Sequence, residues 1–405
     1  MALDAFTAGV LRLMAAAYPD LGGTVTDAVE ARERYGSARY PAGPAVASVV
    51  DQVIPGPQRI PVRIYRPLGA AATGLPVVTY LHGGGFVMCD LDTHDNACRA
   101  VAAGLPAIVV SVDYRLAPEH PFPAGPDDAY AATCWVADQA ASWGGDPARL
   151  IVAGDSAGGA LAAATCLRAR DLGGPPISAQ LLIYPVTDCL APRLDVGDSL
   201  LTSAHMRWYT EQYLARPADA EHPYASPLRA PDLTGLPPAV IVTAEHDPLR
   251  VEGEAFADAL RQAGVAVVEH HIPGLFHGLF GLGALVPVAR QAEVLACTAL
   301  RQVIQPTGNS THHDWKLMEL QPTTLSATIG EVMGAVLVRK PLDADEDFFN
   351  CGGDSLRAIE VLQRLATHEE LADRLGSTDM QAFLLESIFE HSSPAGLASV
   401  VAARA

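Results

Sequence analysis

Five short apolar runs, spaced by stretches of helical character, limit what this chain can fold into more than any other feature. They occupy residues 76–81, 107–112, 150–153, 180–184 and 239–243. Each is continuously apolar rather than alternating, the pattern of strands covered on both faces. Helical segments are expected over 127–139, 157–170 and 251–263. A β-α-β rhythm of this kind predicts an α/β fold with a mostly parallel, doubly wound sheet. The first fifty residues differ, with helix-like stretches over 3–18 and 26–35 that either cap the sheet or extend it.

Beyond residue 303 the composition changes. Gln305-Pro306-Thr307-Gly308-Asn309-Ser310 opens a polar, breaker-rich stretch that reads as a linker. His312 and His313 are neighbours there, but no third ligand stands at metal spacing, so a solvated loop is the better reading. Leu325, Ile329, Val332, Met333, Val336 and Leu337 then fall on one helical face, and Leu356, Ile359, Val361, Leu362 and Leu365 repeat the pattern. A last helix is expected from Ser393-Pro394, a cap followed by proline in the first turn. A chain of 405 residues suits two unequal domains. The expected division is an α/β domain over 1–303 (helical cap about 1–50, core about 51–303), a linker over 304–322, and a small all-α domain over 323–405.

The net charge of −19 argues against nucleic acid and against anionic membrane surfaces, both of which favour Lys and Arg. Seven scattered cysteines, with no C-x-x-C pair, indicate neither a zinc site nor a disulfide framework and suit a reducing cytoplasm. The N-terminal stretch lacks a basic start and carries Asp4, so it does not read as a signal peptide, and no apolar run is long enough to span a bilayer.

Gly154-Asp155-Ser156-Ala157-Gly158 has the G-x-S-x-G form of a hydrolase nucleophile, with a strand expected before it and a helix after it. The glycines leave room where a tight turn brings backbones together. Ser156 is thereby lifted to a helix N-terminus, where the dipole favours negative charge. His82-Gly83-Gly84-Gly85 follows another strand. The N–H groups of Gly83 and Gly84, with that of Ala157, are the expected donors to the oxyanion of a tetrahedral intermediate. His82 itself reads as a structural hydrogen-bonder. An acid and a base should follow in the order Asp, His. Asp247 comes just after the strand 239–243, and His277 follows a strand over 265–271, both at strand ends where an α/β sheet builds its site. His277 would take the Ser156 proton and return it to the leaving group, with Asp247 fixing its tautomer. His246, His270 and His271 compete for the role of base, the last two expected within a strand as structural residues.

Residues from about 20 to 303 resemble the bacterial hormone-sensitive-lipase family of α/β-hydrolases. The matching segments are Tyr80-Leu81-His82-Gly83-Gly84-Gly85-Phe86, Asp90-Leu91-Asp92-Thr93-His94, Asp113-Tyr114-Arg115-Leu116-Ala117-Pro118-Glu119-His120-Pro121-Phe122-Pro123, the Ser156 motif, Ile183-Tyr184-Pro185-Val186-Thr187-Asp188, Asp247-Pro248-Leu249-Arg250 and His277-Gly278. The resemblance implies a carboxylic-ester hydrolase whose N-terminal helices form part of the acyl pocket, and many members of the family form homodimers. Val251 and Leu279 depart from the family pattern, which has an acidic and an aromatic residue there. Asp113, Arg115, Glu119 and Asp128 are expected to form a buried ion-pair network bracing the loops.

Asp345-Glu346-Asp347-Phe348-Phe349-Asn350-Cys351-Gly352-Gly353-Asp354-Ser355-Leu356 is similar to the signature of peptidyl and acyl carrier domains. That resemblance implies 4′-phosphopantetheine attached to Ser355 by a phosphopantetheinyl transferase, with acyl groups carried as thioesters. A helix starting at Ser355 would favour the phosphodiester, and Phe348 and Phe349 would anchor the loop. The stretch 368–383 looks longer and more helical than the usual carrier loop. A linker of about 20 residues spans roughly 25 Å as a coil and at most about 65–70 Å extended. Delivery of a tethered acyl group to Ser156 of the same chain is therefore within reach, and delivery to a second copy or to another assembly-line enzyme stays open.

Together these features predict a serine hydrolase acting on acyl esters or thioesters, fused to a carrier, in polyketide or nonribosomal-peptide biosynthesis. Acyl transfer or cyclisation by the same Ser-His-Asp set is one alternative. A carrier or interaction protein with a non-catalytic hydrolase scaffold is the other.

Overall fold

The computed structural model describes residues 3–35, 43–192, 195–304, 322–337, 339–353, 355–366 and 391–404, with 368, 371, 375, 380, 383–384 and 387–388 between the last two spans. The chain divides into two compact units, Met1–Thr307 and Gly308–Ala405. Most of the segment expected as a linker lies outside the described residues, as do His312, His313, Asp354 and most of 368–383.

The first unit is built on one eight-stranded sheet. Its strands are β1 (Ser48–Val53), β2 (Pro61–Arg66), β3 (Leu75–Leu81), β4 (Ile108–Val112), β5 (Gly145–Asp155), β6 (Ala179–Ile183), β7 (Ala239–His246) and β8 (Val267–Phe276). The spatial order is β1-β2-β4-β3-β5-β6-β7-β8. From β4 to β8 every pairing is parallel, whereas β1–β2 and β2–β4 are antiparallel. The five apolar runs become β3 to β7, and β3, β4 and β6 are buried along their whole length. The antiparallel pair has no such signature. Every residue of β1 is exposed, and β2 begins at proline and carries Arg63 and Arg66. β1 closes this end of the sheet as its edge strand, with β2 second from it.

Helices cover both faces: α3 (Asp95–Gly104), α4 (Ala124–Gln139), α5 (Ala157–Leu172), α7 (Arg250–Gln262) and α8 (Pro287–Val303), with α6 (Ser203–Tyr213) between β6 and β7. The N-terminal helices α1 (Ala5–Ala17) and α2 (Ala28–Tyr35) do not join the sheet. Asp4 caps α1, its Oδ1 accepting from the N–H groups of Phe6 and Thr7. Arg32 fastens α2 to the core by donating to the carbonyls of Val87 and Ala117 at 2.7 Å and to both oxygens of Glu119.

The expected four-residue ion-pair network is corrected here. Arg115 clamps Asp128 through three hydrogen bonds of 2.7–3.0 Å, while Glu119 serves Arg32 instead. Asp113 belongs to neither pair: burial, aided by the nearby charges of Asp90 and Asp92, pushes its carboxyl up to about 6.

The second unit is helical, with α9 (Pro322–Val336), α10 (Ser355–Ala366) and a C-terminal helix, Pro394–Arg404. Its core gathers Leu325, Ile329, Met333, Phe348, Val361, Leu362, Leu365, Leu397 and Val401. Phe348 is fully buried and its N–H donates to the Ser392 carbonyl at 2.9 Å, while Phe349 is half-buried beside it. The side chains of Leu356 and Ile359 lie outside the description.

Glu293 of α8 is nearly buried, and its Oε1 accepts from the N–H groups of Gly281 (3.0 Å) and Gly283 (2.9 Å). Burial pushes its carboxyl up to about 7, and the two backbone donors only partly offset this. Between the ordinary glutamate range and pH 7 the folded state therefore holds a proton that the unfolded chain has lost. Stability falls as pH rises through that window, and the full burial cost is present above it. Glu293→Gln keeps an oxygen for both glycines and removes the charge. Thermal melting of the variant should exceed that of the parent by several degrees at pH 8, with the gain lost at pH 5.

Candidate active site

Ser156 occupies the tight turn between β5 and α5, with φ 54° and ψ −119°. A non-glycine residue in this region costs on the order of 1–3 kcal/mol and needs outside support. Two hydrogen bonds supply it: Ser156 N–H donates to the Ile183 carbonyl (2.8 Å), and Val186 N–H donates to the Ser156 carbonyl (3.1 Å). The turn packs against the end of β3 so closely that a Cβ on Gly158 would lie 1.9 Å from the Leu81 carbonyl oxygen. No side chain is tolerated there.

Asp247 follows directly on β7 and His277 directly on β8, so parallel pairing brings both to the strand ends that carry Ser156. His277 Nδ1 lies 2.8 Å from Asp247 Oδ2, and His277 Nε2 lies 2.9 Å from Ser156 Oγ. A carboxylate only accepts, so Nδ1 carries the proton and Nε2 presents a lone pair to the serine hydroxyl. The second Asp247 oxygen accepts from Leu249 N–H at 2.8 Å, which fixes the carboxylate plane. Tyr184 packs its ring 4.6 Å from the imidazole, and its hydroxyl accepts from Phe280 N–H. All three polar residues are buried, with Ser156 7 %, His277 8 % and Asp247 2 % exposed. This arrangement can strip the proton from Ser156 Oγ as the oxygen attacks an electrophilic carbon.

The competing histidines lie elsewhere. His270 and His271 are within β8, with His271 Nδ1 3.2 Å from Thr243 Oγ1, and His246 Nδ1 faces the Gly197 carbonyl at 3.4 Å. His82 is wholly buried, stacked on Tyr114, with Nδ1 2.8 Å from the Gly83 carbonyl. Burial lowers its pKa to about 4, so it stays neutral.

The donors for a developing oxyanion need one correction. The Gly83 N–H is committed to Asp155 Oδ1 at 3.2 Å, with His94 Nε2 as near on its other side, and cannot also serve a substrate. Gly84 and Gly85 instead line the cavity with Ser156, and their N–H groups have no protein acceptor among the described residues. Ala157 opens α5, where its N–H has no intrahelical partner. The shift by one residue was not legible in a run of three glycines. What decides it is Asp155, inside the serine motif, which captures the first of them.

The cavity above Ser156 is mainly apolar, with Met14, Tyr18, Phe86, Met206, Tyr209 and Leu282 in its wall. Tyr18, just after α1, and Tyr209 of α6 share a hydrogen bond between hydroxyls (2.6 Å). The N-terminal helices thus cap the site rather than extend the sheet. The Tyr209 ring also lies against Gly85, where a Cβ would come within 2.1 Å of it. The two departures from the family pattern do not reach the cavity. Val251 is exposed and Leu279 is buried behind the wall, while the neighbouring Glu252 accepts from Thr187 N–H at 2.7 Å.

In the second unit Ser355 is the first residue of α10. Gly352 precedes it at φ +97°, and Gly353 packs against the Phe348 ring. A helix start preceded by an open turn suits a phosphodiester on that serine. Among the described residues, no cluster of His, Cys, Asp and Glu could hold a metal ion, and no helix is long and apolar enough to cross a membrane.

Comparison with known proteins agrees with this geometry. A family described as alpha/beta hydrolase fold matches residues 78–281, and one described as phosphopantetheine attachment site matches 323–375. Esterase LipI of Mycobacterium tuberculosis is 47 % identical over 298 residues, covering 69 % of this chain and 90 % of its own length. Carboxylesterase NlhH of the same organism is 46 % identical over 256 residues, covering 60 % of this chain and 79 % of its own length. A solved hyperthermophilic esterase from Pyrobaculum calidifontis superimposes with a TM-score of 0.68 at 39 % identity, covering 75 % of this chain and 99 % of that one. With the strand order, the serine turn and these relatives in agreement, the chain belongs to the hormone-sensitive-lipase-like carboxylic-ester hydrolases of the α/β-hydrolase family, joined to a phosphopantetheine-attachment domain.

Proposed function

We propose that Ser156 is the nucleophile, His277 the general base and acid, and Asp247 the group that holds the imidazole. The observation that carries this reading is the unbroken chain Asp247 Oδ2–His277 Nδ1 (2.8 Å) and His277 Nε2–Ser156 Oγ (2.9 Å), with free backbone N–H groups beside it. Ser156 Oγ attacks the acyl carbon as Nε2 takes its proton. The carbonyl oxygen, now negative, is received by the N–H groups of Gly84, Gly85 and Ala157. His277 then returns the proton to the departing alcohol or thiol, leaving an acyl-serine, and in a second round it activates water to release the acid. Each oxyanion donor of this kind is worth about 3–4 kcal/mol in the transition state.

For the second unit we propose attachment of 4′-phosphopantetheine at Ser355 by a phosphopantetheinyl transferase. Bound there, the group supplies a thiol on a long tether able to hold an acyl thioester. An esterase-type site and a carrier on one chain favour an acyl ester or thioester substrate handled in polyketide or nonribosomal-peptide assembly, with enzymes of that class loading or unloading the carrier. Seven free thiols suit work in the cytoplasm.

Ser156→Ala should abolish turnover of p-nitrophenyl acetate, and His277→Ala should lower it by about 10⁴-fold or more, with melting temperatures unchanged. Full activity in Ser156→Ala would overturn the assignment. Gly85→Ala places a methyl group against Tyr209 and should reduce kcat by at least about 100-fold. Incubation with coenzyme A and a phosphopantetheinyl transferase should add one phosphopantetheinyl mass to the intact protein and none to Ser355→Ala. Hydrolysis of an acyl N-acetylcysteamine thioester, read by free-thiol release, should be lost in Ser156→Ala as ester hydrolysis is. Thioester turnover that survives in that variant would place thioester chemistry outside this site.

A further inference from the structure

Asp155 stands next to the nucleophile and lines the same cavity, yet its side chain has no part in the proton relay described above. The residue is 6 % exposed, and its carboxylate meets three groups that are distant from it in sequence. Oδ1 accepts from the Tyr80 hydroxyl on β3 (2.9 Å) and from the Gly83 N–H (3.2 Å). Oδ2 faces His94 Nε2, just before α3, at 3.3 Å. His94 in turn has its Nδ1 3.1 Å from Thr93 Oγ1. With the Thr93 hydroxyl donating to Nδ1, Nε2 carries the ring proton and donates to Asp155 Oδ2. Both imidazole nitrogens therefore meet oxygens, and the ring is held at each end.

We infer that Asp155 and His94 are positioning residues for the oxyanion donors: Asp155, held by His94, accepts the Gly83 N–H and so sets the plane of the following peptides, leaving the Gly84 and Gly85 N–H groups aimed at the oxyanion that forms when Ser156 Oγ attacks the acyl carbon. Neither side chain touches the reacting atoms in this arrangement. Rotating one peptide in the Gly83–Gly85 run would turn a donor away and present a carbonyl oxygen to the developing negative charge. Glycine resists such rotation less than any other residue, so the restraint must come from hydrogen bonds. A Cβ on Gly83 would fall 2.4 Å from Asp155 Oδ2, which shows how closely the carboxylate is applied to this turn. The Tyr114 hydroxyl restrains the turn from the other side by donating to the His82 carbonyl at 2.8 Å. Burial opposes the Asp155 charge, but the His94 ring and the Tyr80 hydroxyl outweigh it and hold the carboxyl below its usual range. The anchor thus remains an acceptor.

This inference rests on Ser156 being the nucleophile, and the test separates the two. In the full chain, His94→Ala, His94→Gln and Asp155→Asn are compared with Ser156→Ala as the reference for a dead site. Four quantities are measured: kcat, KM, melting temperature, and the affinity of a boronic acid that forms a tetrahedral adduct on Ser156. His94→Ala and Asp155→Asn should lose about 100-fold in kcat while KM stays within about 3-fold, because misplaced donors act on the transition state and not on ester binding. Boronate affinity should fall in parallel. His94→Gln should recover part of both losses, since its amide N–H still reaches Asp155. Should Asp155→Asn not fold, the two His94 variants decide. Folded variants with kcat near the parent value, while Ser156→Ala is inactive, would overturn the inference alone. A kcat loss accompanied by unchanged boronate affinity would overturn it too, since it would mark a general structural role. Activity in Ser156→Ala would instead overturn the reading beneath it.

Discussion

A serine held at φ 54° between a strand and a helix is a strained residue, and the rest of the hydrolase unit is arranged to keep it there. The strain persists because neighbours on both sides forbid relaxation. The Ile183 and Val186 backbones grip its peptide groups, and the Leu81 carbonyl leaves no room beside Gly158. Parallel pairing then does the rest. With β5, β6, β7 and β8 in register, the residues just beyond the ends of β7 and β8 must arrive beside the turn. Asp247 and His277 need no long loop to find Ser156. They are delivered by the sheet.

Much of this was legible in the chain. The continuous apolar runs are the strands that lie in the middle of the sheet, since burial on both faces leaves no other solution. Ser156, Asp247 and His277 each follow an apolar run in the sequence, which is the place a strand end must fall. What escaped had physical reasons. β1 is an exposed edge strand and β2, next to it, interleaves buried residues with more exposed ones, so neither has a continuous apolar run. Helix α6 presents Trp208 and Tyr209 amid polar residues and lies among loops, so its role as a wall of the site depends on a partner, Tyr18, that is 191 positions away. Gly83 was assigned as an oxyanion donor because three glycines in a row look alike. Only the Asp155 carboxylate distinguishes the first from the other two. Likewise, Glu119 looked like a partner for Arg115, but its companion is Arg32 from the N-terminal helices.

The buried carboxyls differ in how many donors face them. Asp128 accepts three hydrogen bonds from Arg115, and Asp155 accepts from the Tyr80 hydroxyl and the Gly83 N–H. Glu293 has only two backbone N–H groups to set against its burial, and Asp113 is crowded by other carboxylates. The contrast follows from the number and charge of donors, not from depth alone.

The seven-percent exposure of Ser156 has a consequence for what can be brought to it. A substrate carbonyl must enter the mainly apolar cavity lined by Tyr209, Phe86 and Leu282 before Ser156 Oγ can reach it, so these side chains meet the groups that flank the scissile bond and not the remainder of the molecule.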